Sequence, residues 1–99
     1  MSEIEAINSK PKLKKPKKYQ VILLNDDFTQ MEFVVQVLMI FFNKGSEAAN
    51  ALMLKIHVEG EAVCGVYSYD VAQTKVTQVI EFSRRNEQPL MCIIREMSD

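Results

Sequence analysis

Apolar and polar positions alternate along this chain in patterns that divide it into six elements. β-branched and apolar residues at 19–24 have the composition of a strand. From Met31 onward, apolar residues recur at helical spacing, which indicates an amphipathic helix with one buried face. The predicted elements are strands over 19–24, 61–67 and 90–95, a helix over 31–42, a helix that Ser46 caps and Gly60 ends, and a helix over 70–85.

Local signals at the helix ends support this division. Thr29 with Glu32 three positions later has the spacing of a capping box, and Gly45 is a candidate left-handed residue after the first helix. The order β-α-α-β-α-β predicts an α+β fold, a small two-layer sandwich with three helices on one face of a three-stranded sheet. Periodicity alone does not settle the strand directions.

Composition places the chain among ordinary globular domains. The apolar fraction is 47%, and no apolar run approaches the roughly 18 residues of a membrane span. We therefore expect a soluble, cytoplasmic protein. Cys64 and Cys92 are far apart in apolar segments, which favours two buried reduced thiols over a disulfide. With one histidine and no Cys-x-x-Cys, we expect no metal site and no cofactor.

Charge is unevenly distributed. Residues 1–18 carry six lysines against two glutamates, a net +4, which leaves −5 for the rest because the total is −1. Two prolines and the absence of periodicity predict a flexible basic extension over 1–18, followed by one domain over 19–99. Without interleaved aromatic residues, such a tail favours solvent or a protein partner; nucleic-acid binding is the minority alternative.

The most informative polar residues lie where the first strand gives way to the first helix. Asn25, Asp26 and Asp27 supply hydrogen-bond acceptors there, with Thr29 close behind and apolar Met31 and Val34 next along the chain. This combination suits a ligand with a cationic head and an apolar body. The alternative is a solvated turn with Asx-type hydrogen bonds.

A second helix could complete such a site. Met53 and His57 are four residues apart and so share a helix face, although a lone histidine is more often structural. A protein's free α-amino group, with a pKa near ~7.7–8.0, is mostly cationic at neutral pH and donates three hydrogen bonds. Asn, Asp and neutral His can accept them while apolar walls hold the attached side chain. The pattern favours a binding site without catalysis.

The chain resembles the ClpS family, adaptors that deliver N-degron substrates to the AAA+ unfoldase ClpA or ClpC for proteolysis by ClpP. The resemblance covers residues 17–96 and implies an adaptor with no enzymatic activity. Its matching blocks are Tyr19-Gln20-Val21-Ile22-Leu23-Leu24-Asn25-Asp26-Asp27, Thr29, Met31-Glu32-Phe33-Val34, Leu52-Met53-Leu54, Ile56-His57, Gly60, Cys64-Gly65-Val66, Thr74-Lys75 and Pro89-Leu90.

The resemblance also implies roles for residues. Asn25 and His57 would bind the α-amino group of the substrate's first residue, with contributions from Asp26 and Asp27. The pocket for a Leu, Phe, Tyr or Trp side chain would be lined by Leu23, Thr29, Met31, Val34, Met53, Ile56 and Leu90. The N-terminal domain of the unfoldase would dock near Asp70, Thr74 and Lys75.

Two departures from the family pattern stand out. Gln30 replaces the usual proline, and Asp70 replaces the more common glutamate.

Two other classes of function remain open. Cys64 or Cys92 could act with His57 in catalysis, which requires an exposed thiol with a low pKa. The lysine-rich tail could instead bind RNA or DNA with steep salt dependence.

Overall fold

The computed structural model describes residues 16–98, so most of the predicted 1–18 extension lies outside the described residues. Six elements follow in the predicted order β-α-α-β-α-β, which confirms the fold class. The strands are β1 (Tyr19–Leu24), β2 (Glu61–Tyr67) and β3 (Met91–Glu96), and the helices are α1 (Met31–Phe42), α2 (Ser46–Glu59) and α3 (Tyr69–Arg85).

The sheet has the order β2-β1-β3, with β1 in the centre and antiparallel to both neighbours. Pairing between β1 and β2 shifts by one residue at Cys64, because Val21 pairs with Gly65 whereas Ile22 pairs with Val63. α3 packs against β1 and β3, while α1 packs against α2 and α3. The first strand of the chain is therefore the central strand of the sheet.

The core lies between the sheet and the helices. Val21 and Leu23 point from β1 into this layer, because alternate strand residues face the same side. Each of the six elements contributes at least one buried apolar side chain to this core. The buried apolar residues of the cluster are Val21, Leu23, Phe33, Val34, Val37, Leu38, Phe42, Ala49, Ile56, Ala62, Cys64, Ala72, Val79, Leu90 and Cys92.

The structure corrects three of the predicted helix-end residues. Gln30, not Thr29, precedes α1, and Gly45, not Ser46, precedes α2; neither makes a side-chain capping bond. After α1 the left-handed residue is Asn43 (φ 55°), whereas Gly45 has φ −74°. Asparagine can adopt this conformation because its short polar side chain tolerates it. The prediction for Gly60 is confirmed, since it ends α2 with φ 96°.

Backbone hydrogen bonds bring the connecting segments together at one end of the sheet. The Asn25 N–H donates to the Gly60 oxygen at 2.9 Å, so the residue that follows β1 lies beside the end of α2. The Gln30 N–H donates to the Gln88 side chain at 3.1 Å. Three segments distant in sequence therefore meet at the β1–α1 junction. Among residues 16–98, no helix combines the length and apolarity that a bilayer crossing requires.

Candidate functional site

A cavity of about 200 Å³ opens at this junction, between the end of β1, the start of α1, the face of α2 and the residue before β3. Its wall combines hydrogen-bonding side chains with aliphatic and thioether side chains. The lining residues are Leu24, Asn25, Asp26, Asp27, Thr29, Met31, Val34, Met53, Ile56, His57 and Leu90. The structure therefore brings together the two sequence segments that were predicted to share a site.

Three polar side chains at this cavity are free to take a ligand. Asn25, Asp27 and His57 are exposed, and none of their side chains makes a hydrogen bond or ion pair with another residue in 16–98. All three can present acceptor atoms: an amide oxygen, a carboxylate and a neutral imidazole nitrogen. The Asn25 backbone bond to Gly60 fixes this residue against the end of α2, which carries His57.

Asp26 has a different role from Asp27, because its carboxylate is already occupied. Its Oδ1 accepts the backbone N–H groups of Phe28 (2.8 Å) and Thr29 (2.7 Å), and its Oδ2 accepts the Thr29 hydroxyl at 2.6 Å. These bonds close the turn between β1 and α1. Thr29 belongs to this turn and lies one residue before Gln30, the residue from which α1 begins.

The electrostatics of Asp26 follow from these contacts. Partial burial raises its pKa, but the hydrogen bonds from the Thr29 hydroxyl and from two backbone N–H groups, together with the charge of Arg84, outweigh that effect. The pKa of Asp26 is therefore below its ordinary value. The carboxylate stays ionised at neutral pH and contributes negative potential to the cavity, although its lone pairs are largely engaged.

The apolar wall comes from α1, from α2 and from the segment before β3. Ile56 is 2% exposed and Leu90 is 1% exposed, so these two form the rigid interior of the wall. Met31 is 43% exposed and lies at the first position of α1. Flexible thioethers at Met31 and Met53 can adapt to flat or branched side chains.

One predicted wall residue is corrected by the structure. Leu23 is fully buried in the core and does not line the cavity; the next residue, Leu24, does. Strand alternation explains the difference, because Leu23 points into the layer between sheet and helices whereas Leu24 lies at the strand's end, where the chain turns. The motif located the segment, but motif matching could not determine which neighbour faces the cavity.

The three residues predicted for unfoldase docking lie on α3, away from the cavity lining. Asp70 and Thr74 are exposed, and the Thr74 hydroxyl donates to the Asp70 backbone oxygen at 3.1 Å. Lys75 is partly buried: its Nζ donates to the Phe41 oxygen at 2.7 Å and lies 5.7 Å from the centre of the Tyr67 ring. Lys75 thus already connects α3 to the end of α1.

Three hydrogen bonds next to the cavity lining were not predicted from the sequence. Arg84 donates hydrogen bonds to the oxygens of Gln88 and Leu90, and the Gln88 side chain accepts the Gln30 N–H. The basic pair at the end of a helix was visible, but such residues commonly serve only the helix dipole. No sequence pattern distinguishes Arg84 from its neighbour Arg85.

The cysteines are unsuited to nucleophilic catalysis. Both are buried in the core, and burial raises the pKa of Cys64 to about 11 and that of Cys92 to about 12. The catalytic alternative requires an exposed thiol with a low pKa, which neither residue provides. In the part of the chain that the structure describes, no group of three or more His, Cys, Asp or Glu residues is placed to hold a metal ion.

The fold and the cavity together define a small α+β binding domain. A family model described as "ATP-dependent Clp protease adaptor protein ClpS" matches residues 14–93. A protein of Rhodospirillum centenum named ATP-dependent Clp protease adapter protein ClpS is 53% identical over 90 residues, 91% of this chain and 83% of that protein. A protein of the same name from Parvibaculum lavamentivorans is 56% identical over 84 residues, 85% and 76% of the two chains.

A solved structure supports the same family assignment. Agrobacterium tumefaciens ClpS2 bound to L-phenylalaninamide superimposes with a TM-score of 0.81 at 35% sequence identity, covering 84% of this chain and all of that one. This chain belongs to the ClpS family of ATP-dependent Clp protease adaptors. It is an adaptor and not an enzyme, and the resemblance inferred from its motifs is confirmed.

Proposed function

We propose that this adaptor binds the free N-terminal residue of substrates that begin with Leu, Phe, Tyr or Trp and delivers them to a Clp AAA+ unfoldase. The observation that carries the proposal is the cavity, which joins three unengaged polar side chains to an apolar wall. Phenylalaninamide, the ligand of the Agrobacterium relative, has the same two parts: a free amino group and a large apolar side chain.

The polar end would take the α-amino group. Asn25, Asp27 and His57 offer one acceptor each to its three N–H donors, while Asp26 holds the turn that presents them. Hydrogen bonds to a charged group contribute on the order of 1.5–3 kcal/mol each. Acetylation removes both the charge and two of the donors, so the site would discriminate strongly against blocked termini.

The apolar end would take the first side chain. A cavity of roughly 150 Å³ is enough to bind benzene, so about 200 Å³ leaves room for an aromatic ring or a leucine side chain. Burying such a side chain contributes roughly 1.5–3 kcal/mol. Met31 and Met53 would adapt to the ring while Ile56 and Leu90 limit its depth.

Delivery requires a second surface. We propose that the unfoldase, of the ClpA or ClpC type, docks its N-terminal domain near Asp70, Thr74 and Lys75 on α3, which leaves the cavity open to substrate. Residues 1–18 would act as an extension during delivery, and residues 19–99 as the adaptor domain. A cytoplasmic location fits the two free cysteines, because reduced thiols persist in a reducing compartment.

Fluorescence anisotropy tests the proposal. Labelled peptides starting with Phe or Leu should bind, and N-acetylation should weaken binding at least about 100-fold, ~2.8 kcal/mol. Asn25→Ala and His57→Ala should lose this preference for a free amine while remaining folded by circular dichroism. Val58→Ala is the matched control, because Val58 neighbours His57 on α2 but is 78% exposed and does not line the cavity. Equal binding of free and acetylated peptides would contradict the proposal.

A further inference from the structure

Arg84, in the last turn of α3, does not line the cavity, yet its guanidinium holds the backbone that carries one wall of it. Nη1 donates to the oxygens of Gln88 and Leu90, both at 2.9 Å, and Nη2 lies 3.1 Å from the Met91 sulfur. Leu90 is almost fully buried and lines the cavity. One planar cation therefore contacts both ends of the short segment that enters β3.

The same segment reaches the opposite side of the cavity through Gln88. Its side-chain oxygen accepts the Gln30 N–H at 3.1 Å. Gln30 precedes α1 and has no side-chain cap of its own, and the next residue, Met31, lines the cavity mouth. Backbone donors at a helix start need such partners. Gln88 thus links the Leu90 side of the cavity to the Met31 side.

The contacts of Arg84 differ from those of a simple helix cap. An arginine that only serves the helix end would bond to the last carbonyls of its own helix. Arg84 instead bonds to oxygens four and six residues ahead, in the loop. Its charge also reaches Asp26, where it adds to the hydrogen bonds that outweigh partial burial and lower that residue's pKa.

We infer that Arg84 is a positioning residue that sets the separation of Leu90 and Met31, and thereby the range of first side chains that the cavity admits. The inference rests on the proposed function and names the residue that determines which first side chains of substrates the same site accepts. The planar guanidinium makes these contacts from two fixed nitrogens, Nη1 to both carbonyls and Nη2 to the Met91 sulfur, whereas lysine offers a single nitrogen on a flexible stem. Arg84 acts through Leu90 and Gln88 and does not touch the ligand.

The test compares dissociation constants of peptides with free amino termini starting with Leu, Phe and Trp. Arg84→Lys should weaken binding of the Leu and Phe peptides about tenfold, equivalent to ~1.4 kcal/mol. The affinity ratio of Trp to Leu should change by at least about threefold, or ~0.65 kcal/mol, while acetylated peptides remain unbound. Arg85→Lys is the matched control, because Arg85 is exposed and makes no hydrogen bond or ion pair with another residue in 16–98.

A double-mutant cycle tests whether Arg84 affects peptide binding through Leu90 in the cavity wall. Binding losses of Arg84→Lys and Leu90→Ala should be non-additive, whereas those of Arg85→Lys and Leu90→Ala should add. Should Arg84→Lys fail to fold, Arg84→Gln takes its place in the same comparison. The link to the Met31 side is tested separately by Gln88→Met, since it removes only the acceptor for Gln30 and leaves the Arg84 bonds to backbone intact. It should change the Trp-to-Leu ratio at an unchanged free energy of unfolding.

Three results would overturn the inference. If the wild type binds free-amine peptides but Arg84→Lys or Gln88→Met leaves affinities and their ranking within about twofold, ~0.4 kcal/mol, the inference fails and the proposed function stands. A uniform loss for all three peptides that matches the loss of unfolding free energy would show a merely structural role. If the wild type binds no free-amine peptide, the proposed function fails and the inference fails with it.

Discussion

At the residue scale, two adjacent carboxylates do different work. Asp26 uses its oxygens to close the turn between β1 and α1, while Asp27 is exposed at the cavity with no partner among the described residues. Identical side chains at neighbouring positions thus divide into one that shapes the site and one that is available to a ligand.

This division predicts different outcomes for Asp26→Asn and Asp27→Asn. The pKa of Asp26 is lowered in the folded protein below the ordinary value of 3.8, so the unfolded chain takes up a proton at a higher pH than the folded protein does. The stabilisation is present above 3.8 and is lost as the pH falls through the folded pKa. Asp26→Asn should remove this contribution to the acid dependence of the free energy of unfolding, measured by urea titration at several pH values.

Asp27→Asn should weaken binding of free-amine peptides by about tenfold, ~1.4 kcal/mol. If Asp27→Asn left peptide binding unchanged, or Asp26→Asn left the acid dependence unchanged, the division of roles between the two acids would be wrong.

At the element scale, contacts with distant residues, and not local side-chain caps, stabilise the two ends of α1. Gln30 makes no side-chain capping bond, and contacts with distant residues support α1 instead: the Gln88 side chain accepts the Gln30 N–H, and Lys75 donates to the Phe41 oxygen near the end of the helix. Capping motifs predicted Thr29 as the cap of α1 and Ser46 as the cap of α2. They failed because α1 begins one residue later than a Thr29 cap would place it and α2 one residue earlier than a Ser46 cap would place it.

Lys75 provides the prediction at this scale. Its ammonium group donates to the Phe41 oxygen and lies over the Tyr67 ring, so it stabilises the α1–α3 contact in addition to any role in docking. Lys75→Met should lower the free energy of unfolding by about 1–2 kcal/mol, because a carbonyl at the helix end loses its charged donor.

Chemical denaturation monitored by circular dichroism measures the change. Thr74→Ala is the control, since the exposed Thr74 side chain bonds only within its own helix, and we expect a change within about 0.5 kcal/mol. Equal stability of Lys75→Met and wild type would show that these two contacts do not stabilise the fold.

At the scale of the whole molecule, the fold separates the proposed substrate site from the proposed docking surface. The cavity forms where the chain leaves the central strand, whereas Asp70 and Thr74 lie in the first turns of α3, outside the cavity lining. A substrate and an unfoldase could therefore be bound together, which an adaptor needs.

Removal of residues 1–16 tests the role proposed for the extension. The lining residues that the structure describes all lie between Leu24 and Leu90, so the truncated protein should bind peptides starting with Phe as tightly as the full chain. Degradation of a substrate with N-terminal Phe by the unfoldase and its protease should slow at least about threefold, ~0.65 kcal/mol. A control chain with the same residues in scrambled order separates the effect of composition from that of sequence. Unchanged degradation by the truncated protein would contradict this role.

The sequence by itself determined the order of the six elements, the bounds of β1 and β2 and the segments that form the site. These features follow from hydrophobic periods of about 2 and 3.6 residues and from motifs read along the chain, both of which are local. Several ordered motif blocks were also enough to indicate the family.

Only the tertiary structure decided the rest. The distinct roles of Asp26 and Asp27 depend on the three-dimensional geometry of the turn after β1, although its hydrogen bonds join residues close in sequence. The strand order β2-β1-β3 and the position of Leu24 rather than Leu23 at the cavity depend on which distant groups meet. The links from Arg84 and Gln88 to the cavity are of the same kind. These contacts are set by packing in three dimensions, and no hydrophobic period or motif along the chain contains that information.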